Sequence, residues 1–196
     1  MSDILVISYS HKGTSRRLAQ LLSQQQNWPM AEIREVHPRM GLGGRVRCLL
    51  DARLHRHPQI DYTGPPPNEY DAVVLVAPVW ASRLAGPVRS FVSLMRERLP
   101  DLALISVTHN WGVHEVIAEL GALMGSFPVV STTFTPHEVN YPSCAMRLQA
   151  FGNAVRIAEN SPILIRPLPC ALPTFNRTPT MTIKPVTSFF SSTTGK

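Results

Sequence analysis

No apolar run in this chain approaches the roughly 20 residues that a membrane-spanning helix requires, so no membrane span is expected. The apolar stretch at residues 4–7 is too short and too close to Asp3 to be the core of a secretory signal, and the expected location is cytoplasmic. Cysteine is scarce. Cys48, Cys144 and Cys170 are odd in number, far apart, and accompanied by neither a CxxC pair nor histidines at metal-ligand spacing, which argues for reduced, structural thiols and against a metal site. Also missing are a GxGxxG fingerprint, a phosphate loop ending in Gly-Lys-Ser/Thr, and a nucleophile elbow. Covalent catalysis and nucleotide hydrolysis therefore have no candidate residue set, and no catalytic residue is assigned.

Charged residues are few, at 16% against 44% hydrophobic ones, a balance ordinary for a globular protein and foreign to a wholly disordered one. At 196 residues the chain can hold one α/β domain with a full core, but not two comfortable ones. The net charge of +6 looks like a nucleic-acid signal until it is located. Residues 161–196 carry four basic residues (Arg166, Arg177, Lys184, Lys196) and no acidic one, which leaves a balance of +2 over residues 1–160. A second concentration lies at 34–57, where Arg34, Arg39, Arg45, Arg47, Arg53 and Arg56 outnumber Glu35 and Asp51. Stretches of this size are usually solvated faces, although they can steer an acidic partner or an anionic substrate. No nucleic-acid partner is expected. Residues 161–196 also hold six prolines and many serines and threonines, and are expected to form an extended or disordered tail after a domain spanning 1–160.

Within that domain the periodicity predicts alternating strands and helices. A strand over 3–8 leads to a helix over 15–25, whose Leu18, Ala19, Leu21 and Leu22 share one face. Residues 31–36 alternate and predict a second strand, at a sheet edge because half its positions are charged. Val46, Leu49, Leu50 and Leu54 mark an apolar stripe on a helix over 45–57. The unbroken apolar run 72–77 predicts a central strand buried on both faces, and Pro87 suits the first turn of the helix after it. Strands at 102–107 and 129–134, a helix after residue 112 capped by Gly125, and a helix over 144–159 complete the series. Such alternation argues for an α/β fold with a five-stranded, doubly wound parallel sheet. Ligands bind such sheets beyond the C-terminal strand ends, where three loops converge here: residues 10–15, 78–86 and 108–112.

The first loop is Ser10-His11-Lys12-Gly13-Thr14-Ser15. A strand that ends here and enters a helix aims backbone N–H groups and the helix's positive end at one spot. Hydroxyls of Ser10, Thr14 and Ser15, the charge of Lys12 and the freedom of Gly13 suit that spot to a phosphate. The same residues also fit a plain turn with Thr14 or Ser15 as helix N-cap.

Taken together, the loops resemble those of the flavodoxin family. The first is similar to the family's Ser/Thr-x-x-Gly-Asn-Thr phosphate loop, with Thr14 where Asn is usual and Ser15 where Thr is usual. The run from Tyr70 through Pro78, Val79, Trp80 and Ala81 into Pro87-Val88-Arg89-Ser90-Phe91 resembles the family's third strand, its flavin-facing loop with a Trp, and the next helix start. Thr108-His109-Asn110-Trp111-Gly112 matches in position and in its Thr and Gly. The resemblance covers about residues 3–159 and implies a flavodoxin-like sheet in the order 2-1-3-4-5 with non-covalent FMN. It places the phosphate on Ser10, His11, Lys12, Gly13, Thr14 and Ser15. The ring would lie between Pro78, Val79, Trp80 and Ala81 on one side and Thr108, His109, Asn110, Trp111 and Gly112 on the other. Against this stands the plainer reading of Trp80 as a side chain filling a groove at the sheet's end. His11 and His109 lack a carboxylate partner at recognisable spacing and read as polar loop residues rather than catalysts.

The resemblance implies a redox protein that passes electrons between partner proteins or to a small acceptor. One alternative is an NAD(P)H-dependent FMN quinone reductase, with Arg45, Arg56 and Arg83 available to attract a nicotinamide phosphate. Another is a binding module that keeps the fold and has lost the flavin.

Overall fold

The computed structural model describes residues 3–37, 41–108 and 112–160. The expected tail at 161–196 lies outside them, as do His109, Asn110 and Trp111. Strand β1 (Ile4–Tyr9) is buried along its whole length and leads into helix α1 (Thr14–Gln26). The helix stops where Asn27 turns left-handed at φ 56° and returns its N–H to the Ser23 carbonyl. Strand β2 (Met30–Glu35) follows, then helix α2 (Gly41–Arg53) and the four-residue strand β3 (Ile60–Thr63). Strand β4 (Ala72–Trp80) turns back into the two-residue β5 (Arg83–Leu84). Helix α3 (Gly86–Met95), with Pro87 in its first turn, strand β6 (Asp101–Val107), helix α4 (Val113–Met124), strand β7 (Val130–Phe134) and helix α5 (Pro142–Asn160) complete the described chain.

Among the described residues the sheet has seven strands, not the expected five, in the order β3-β2-β1-β4-β6-β7, with β5 paired to β4. Strands β2, β1, β4, β6 and β7 are mutually parallel. The two additions run antiparallel, β3 against β2 and β5 against β4. Strand β2 is consequently interior, not the edge that its charges suggested: Arg34 and Glu32 pair across to Asp61 and Thr63 of β3. The Tyr62 phenol of β3 donates to the Pro65 carbonyl at 2.7 Å. Burial, and secondarily the neighbouring Tyr70, push its ionisation up to about 12.

Alternation along the parallel strands makes two cores. Ile4, Val6, Val74 and Ile105 meet Leu18 and Leu22 of α1 and Leu148 and Phe151 of α5. Leu5, Ile7 and Leu75 meet Phe91 of α3 and Leu120 of α4 on the other face. Each such side chain contributes about 1.5–3 kcal/mol by burial. Helix α2 departs from its pattern. Val46, Leu50 and Leu54 are 57%, 48% and 56% exposed, whereas Cys48 and Ala52 are buried. Helix α2 packs on α3, β4 and β5, and Cys48 and Ala52 are on the side that meets them.

Candidate functional site

Three strand ends build one pocket of about 260 Å³. From the loop after β1 come Ser10, His11, Lys12, Thr14 and Ser15; from the end of β4, Pro78, Val79 and Trp80; from the end of β6, Val107 and Thr108. Cys48 of α2 and Pro136, after β7, complete the wall. The sequence did not single out Cys48, Val107 or Pro136 for this place.

Gly13 is the N-cap of α1 at φ 90° and ψ −16°, and no side-chain hydrogen bond caps the helix. The reading with Thr14 or Ser15 as N-cap is therefore not the one adopted. The Gly13 carbonyl already accepts from the Arg17 N–H at 2.9 Å, which winds the first turn and leaves its leading N–H groups without a side-chain cap among the described residues. A β-carbon at Gly13 would meet nothing within 4 Å. The glycine is required by its positive φ, not by crowding.

Trp80 sits between two other rings. Its indole meets Tyr9 edge-on at 5.8 Å and 80°, and His11 at 5.9 Å and 88°. The Tyr9 phenol donates to the Glu35 carboxylate, fixing that stack to the end of β2. The chain reverses just past Trp80 through Ala81 (φ 48°) and Ser82 (φ 58°), with Trp80 opposite Arg83 and Val79 opposite Leu84. Two consecutive positive φ values suit the tight hairpin turn whose twist matches its strands, at a cost of about 1–2 kcal/mol for each non-glycine residue. Ala81 is exposed at this turn and does not line the pocket. Gly112 is the left-handed N-cap of α4 at φ 111°. A β-carbon there would lie 2.5 Å from Ser82 Cα, so Gly112 serves the close approach of its loop to the hairpin and does not line the pocket. Thr108 is buried, and its N–H donates to the Phe134 carbonyl at 3.0 Å.

Behind the hairpin lies a group that sequence reading missed. Arg89 is 1% exposed, yet its guanidinium is fully occupied. Its Nε donates to Glu119 Oε1 at 2.6 Å, and its terminal nitrogens donate to the carbonyls of Asp51, Arg56, Ala52 and Leu84 at 3.1–3.3 Å. Glu119 Oε2 also accepts the Leu84 N–H at 3.1 Å. One ion pair thus ties α2, β5, α3 and α4 together. A charge standing inside an otherwise apolar helix face was the available sign. On the far side Glu138 accepts the Thr135 N–H at 2.7 Å while its own N–H donates to Thr135 Oγ1 at 3.3 Å, a reciprocal capping box. The backbone hydrogen bond from Thr135 is the main force holding the Glu138 carboxyl below its usual range, with Arg147 assisting.

This site lies beyond the C-terminal strand ends, beside β1 and β4, in the region where open α/β sheets bind ligands. No protein-family model matches the sequence, and no curated protein matches it significantly. Solved structures do. A flavoprotein from Lactobacillus acidophilus, crystallised with FMN, superposes with a TM-score of 0.61 at 15% identity over 71% of this chain and 97% of its own. A candidate flavoprotein from Bacteroides eggerthii reaches 0.64 at 14% identity over 80% and 99%. The chain has a flavodoxin-like fold. A short-chain flavodoxin associated with a bacterial microcompartment shares the flavodoxin-like arrangement more loosely, with a TM-score of 0.50 at 11% identity over 81% of this chain and 99% of its own. Among the described residues no helix is long and apolar enough to cross a membrane, and no group of three or more histidine, cysteine, aspartate or glutamate residues is placed to hold a metal ion.

Proposed function

We propose that this protein holds FMN non-covalently and passes electrons between partners. The observation that carries the reading is the convergence, in one pocket, of an uncapped helix N-terminus, three hydroxyl residues and Lys12 with the Trp80 indole. Ser10, Lys12, Thr14, Ser15 and the first N–H groups of α1 would take the phosphate, for which aligned amides and the helix dipole are suited. Trp80, with Pro78 and Val79 beside it, would face the isoalloxazine, and Thr108 would border it from β6. FMN supplies reversible one- and two-electron chemistry, and the protein's part is to bind it, orient it and set its potential. At about 260 Å³ the pocket falls below the roughly 300–1,000 Å³ that encloses most of a small ligand.

The test is a titration of the purified full chain with FMN and with riboflavin, followed by flavin absorbance and fluorescence. FMN is expected to bind and riboflavin to bind about 100-fold more weakly, because charge-assisted hydrogen bonds worth ~1.5–3 kcal/mol each are lost with the phosphate. Trp80→Ala should shift the flavin spectrum and weaken both ligands alike. Protein that takes up neither flavin overturns the reading and leaves a binding module without cofactor. Sustained NAD(P)H oxidation by loaded protein with a quinone, in the absence of a partner reductase, would replace the carrier role with a reductase.

A further inference from the structure

Helix α2 presents an aliphatic ridge to water. Val46, Leu50 and Leu54 recur every fourth residue and are each about half exposed, while the opposite side of the helix contributes Cys48 to the pocket wall. Burying these side chains would remove apolar surface from water, and exposed apolar residues beside a site mark an interaction surface.

The charge around the ridge says what would cover it. Arg53 and Arg56 are exposed at its end. Of the two acidic residues in the 34–57 stretch, Asp51 is 3% exposed with Arg56 at 3.6 Å, and half-buried Glu35 accepts the Tyr9 hydroxyl. At the opposite end of the sheet Asp71 and Asp101 stand at the starts of β4 and β6, close enough to Glu159 at the end of α5 to raise its carboxyl's pKa together with burial. The 34–57 stretch as a whole, with six arginines against two acidic residues, is net basic, and such a charge attracts an incoming acidic protein.

We propose that the outward face of α2 is the docking surface for an acidic electron-carrier protein. The choice of an electron carrier rests on the FMN reading; the acidic, partly apolar character of the partner rests on the surface alone. Other occupants fit less well. Residues 161–196 contain no acidic residue and would add like charge. A second copy related by a two-fold axis would set the basic ridge against itself. Helix α2 carries no aromatic residue, whereas helices that lie in a membrane surface place Trp or Phe among their apolar side chains.

The experiment measures binding of a plant-type [2Fe–2S] ferredoxin, an acidic carrier, to the full chain in apo and FMN-titrated forms, with basic cytochrome c as the contrast. Ferredoxin is expected to bind both forms, with affinity falling at least tenfold between low and high salt, and cytochrome c is expected not to bind. Leu50→Asp and Leu54→Asp, both at exposed positions, should each weaken ferredoxin at least tenfold with the thermal midpoint retained, while Ile157→Asp on α5 should change nothing. Ferredoxin binding indifferent to Leu50→Asp and Leu54→Asp, or no ferredoxin binding, overturns the proposal. So do a ridge-dependent dimer in sedimentation and ridge-dependent binding to phosphatidylserine–phosphatidylcholine vesicles. Ferredoxin that docks on protein unable to take up FMN would leave the surface standing and remove the flavin reading; flavin uptake without docking would do the reverse.

Discussion

At the residue scale the site depends on Gly13. Its φ of 90° with open space around the missing side chain separates two causes that are usually entangled, backbone strain and steric clash. Gly13→Ala should therefore cost about 1–2 kcal/mol of stability, the penalty of a left-handed L-residue, read from the urea midpoint. If the loop binds a phosphate, FMN affinity should fall while riboflavin affinity changes little. A Gly13→Ala variant as stable as the parent would show that the loop can take another shape. Nothing in the residue types distinguished this cap from one made by Thr14 or Ser15, because all three sit within one turn and each is a common cap; only the backbone angle decides.

Among elements, α2, β5, α3 and α4 are joined on Arg89. Removing one partner of a buried, hydrogen-bonded ion pair strands the other, at about 3–5 kcal/mol. Arg89→Ala should lower stability by that amount in a denaturant titration, and should make the α2 backbone exchange its amides faster, since the Asp51, Ala52 and Arg56 carbonyls lose their shared donor. The strands at 72–77 and 102–107 were legible because both faces are buried and the sequence shows it as unbroken aliphatic runs. Strand β3 was not, since Ile60-Asp61-Tyr62-Thr63 is four residues long, half polar, and followed by Gly64 and three prolines. The apolar stripe of α2 did not say which side of the helix is buried. Periodicity reports where apolar residues lie on a helix and not which way the helix faces: Val46 and Leu50 lie toward water while Cys48 and Ala52 take the inside.

For the whole molecule, the acidic groups around the end of α5 have a measurable consequence for stability. Glu159 has its pKa raised by burial first and then by Asp101 and Asp71, so its charged form is disfavoured in the fold. Stability it contributes is present at low pH and lost as pH rises from the ordinary glutamate range through the raised folded value. Glu159→Gln should therefore raise the thermal midpoint slightly at neutral pH, the group being partly exposed, and the gain should vanish below about pH 4. A gain that persists in acid would point to packing instead. The alternating α/β architecture could be inferred from sequence, because strands and helices differ in their apolar period; the full strand order could not, since β3 and β5 add to the expected five. The Arg89–Glu119 pair could not, since its partners stand 30 residues apart and no local pattern joins them.

Strand β3 has a last consequence for how this protein behaves when crowded with its own kind. It covers the flank of β2, and the chain leaves it through Gly64 and three successive prolines, which are poor templates for further pairing. The opposite flank is β7, five residues long, where the Arg147 guanidinium already takes the Thr133 carbonyl at 2.7 Å. Among the described residues, then, one margin is blunted by proline and the other is short and partly plugged by a cation. Fibril-like growth by strand addition has little to start from on either side.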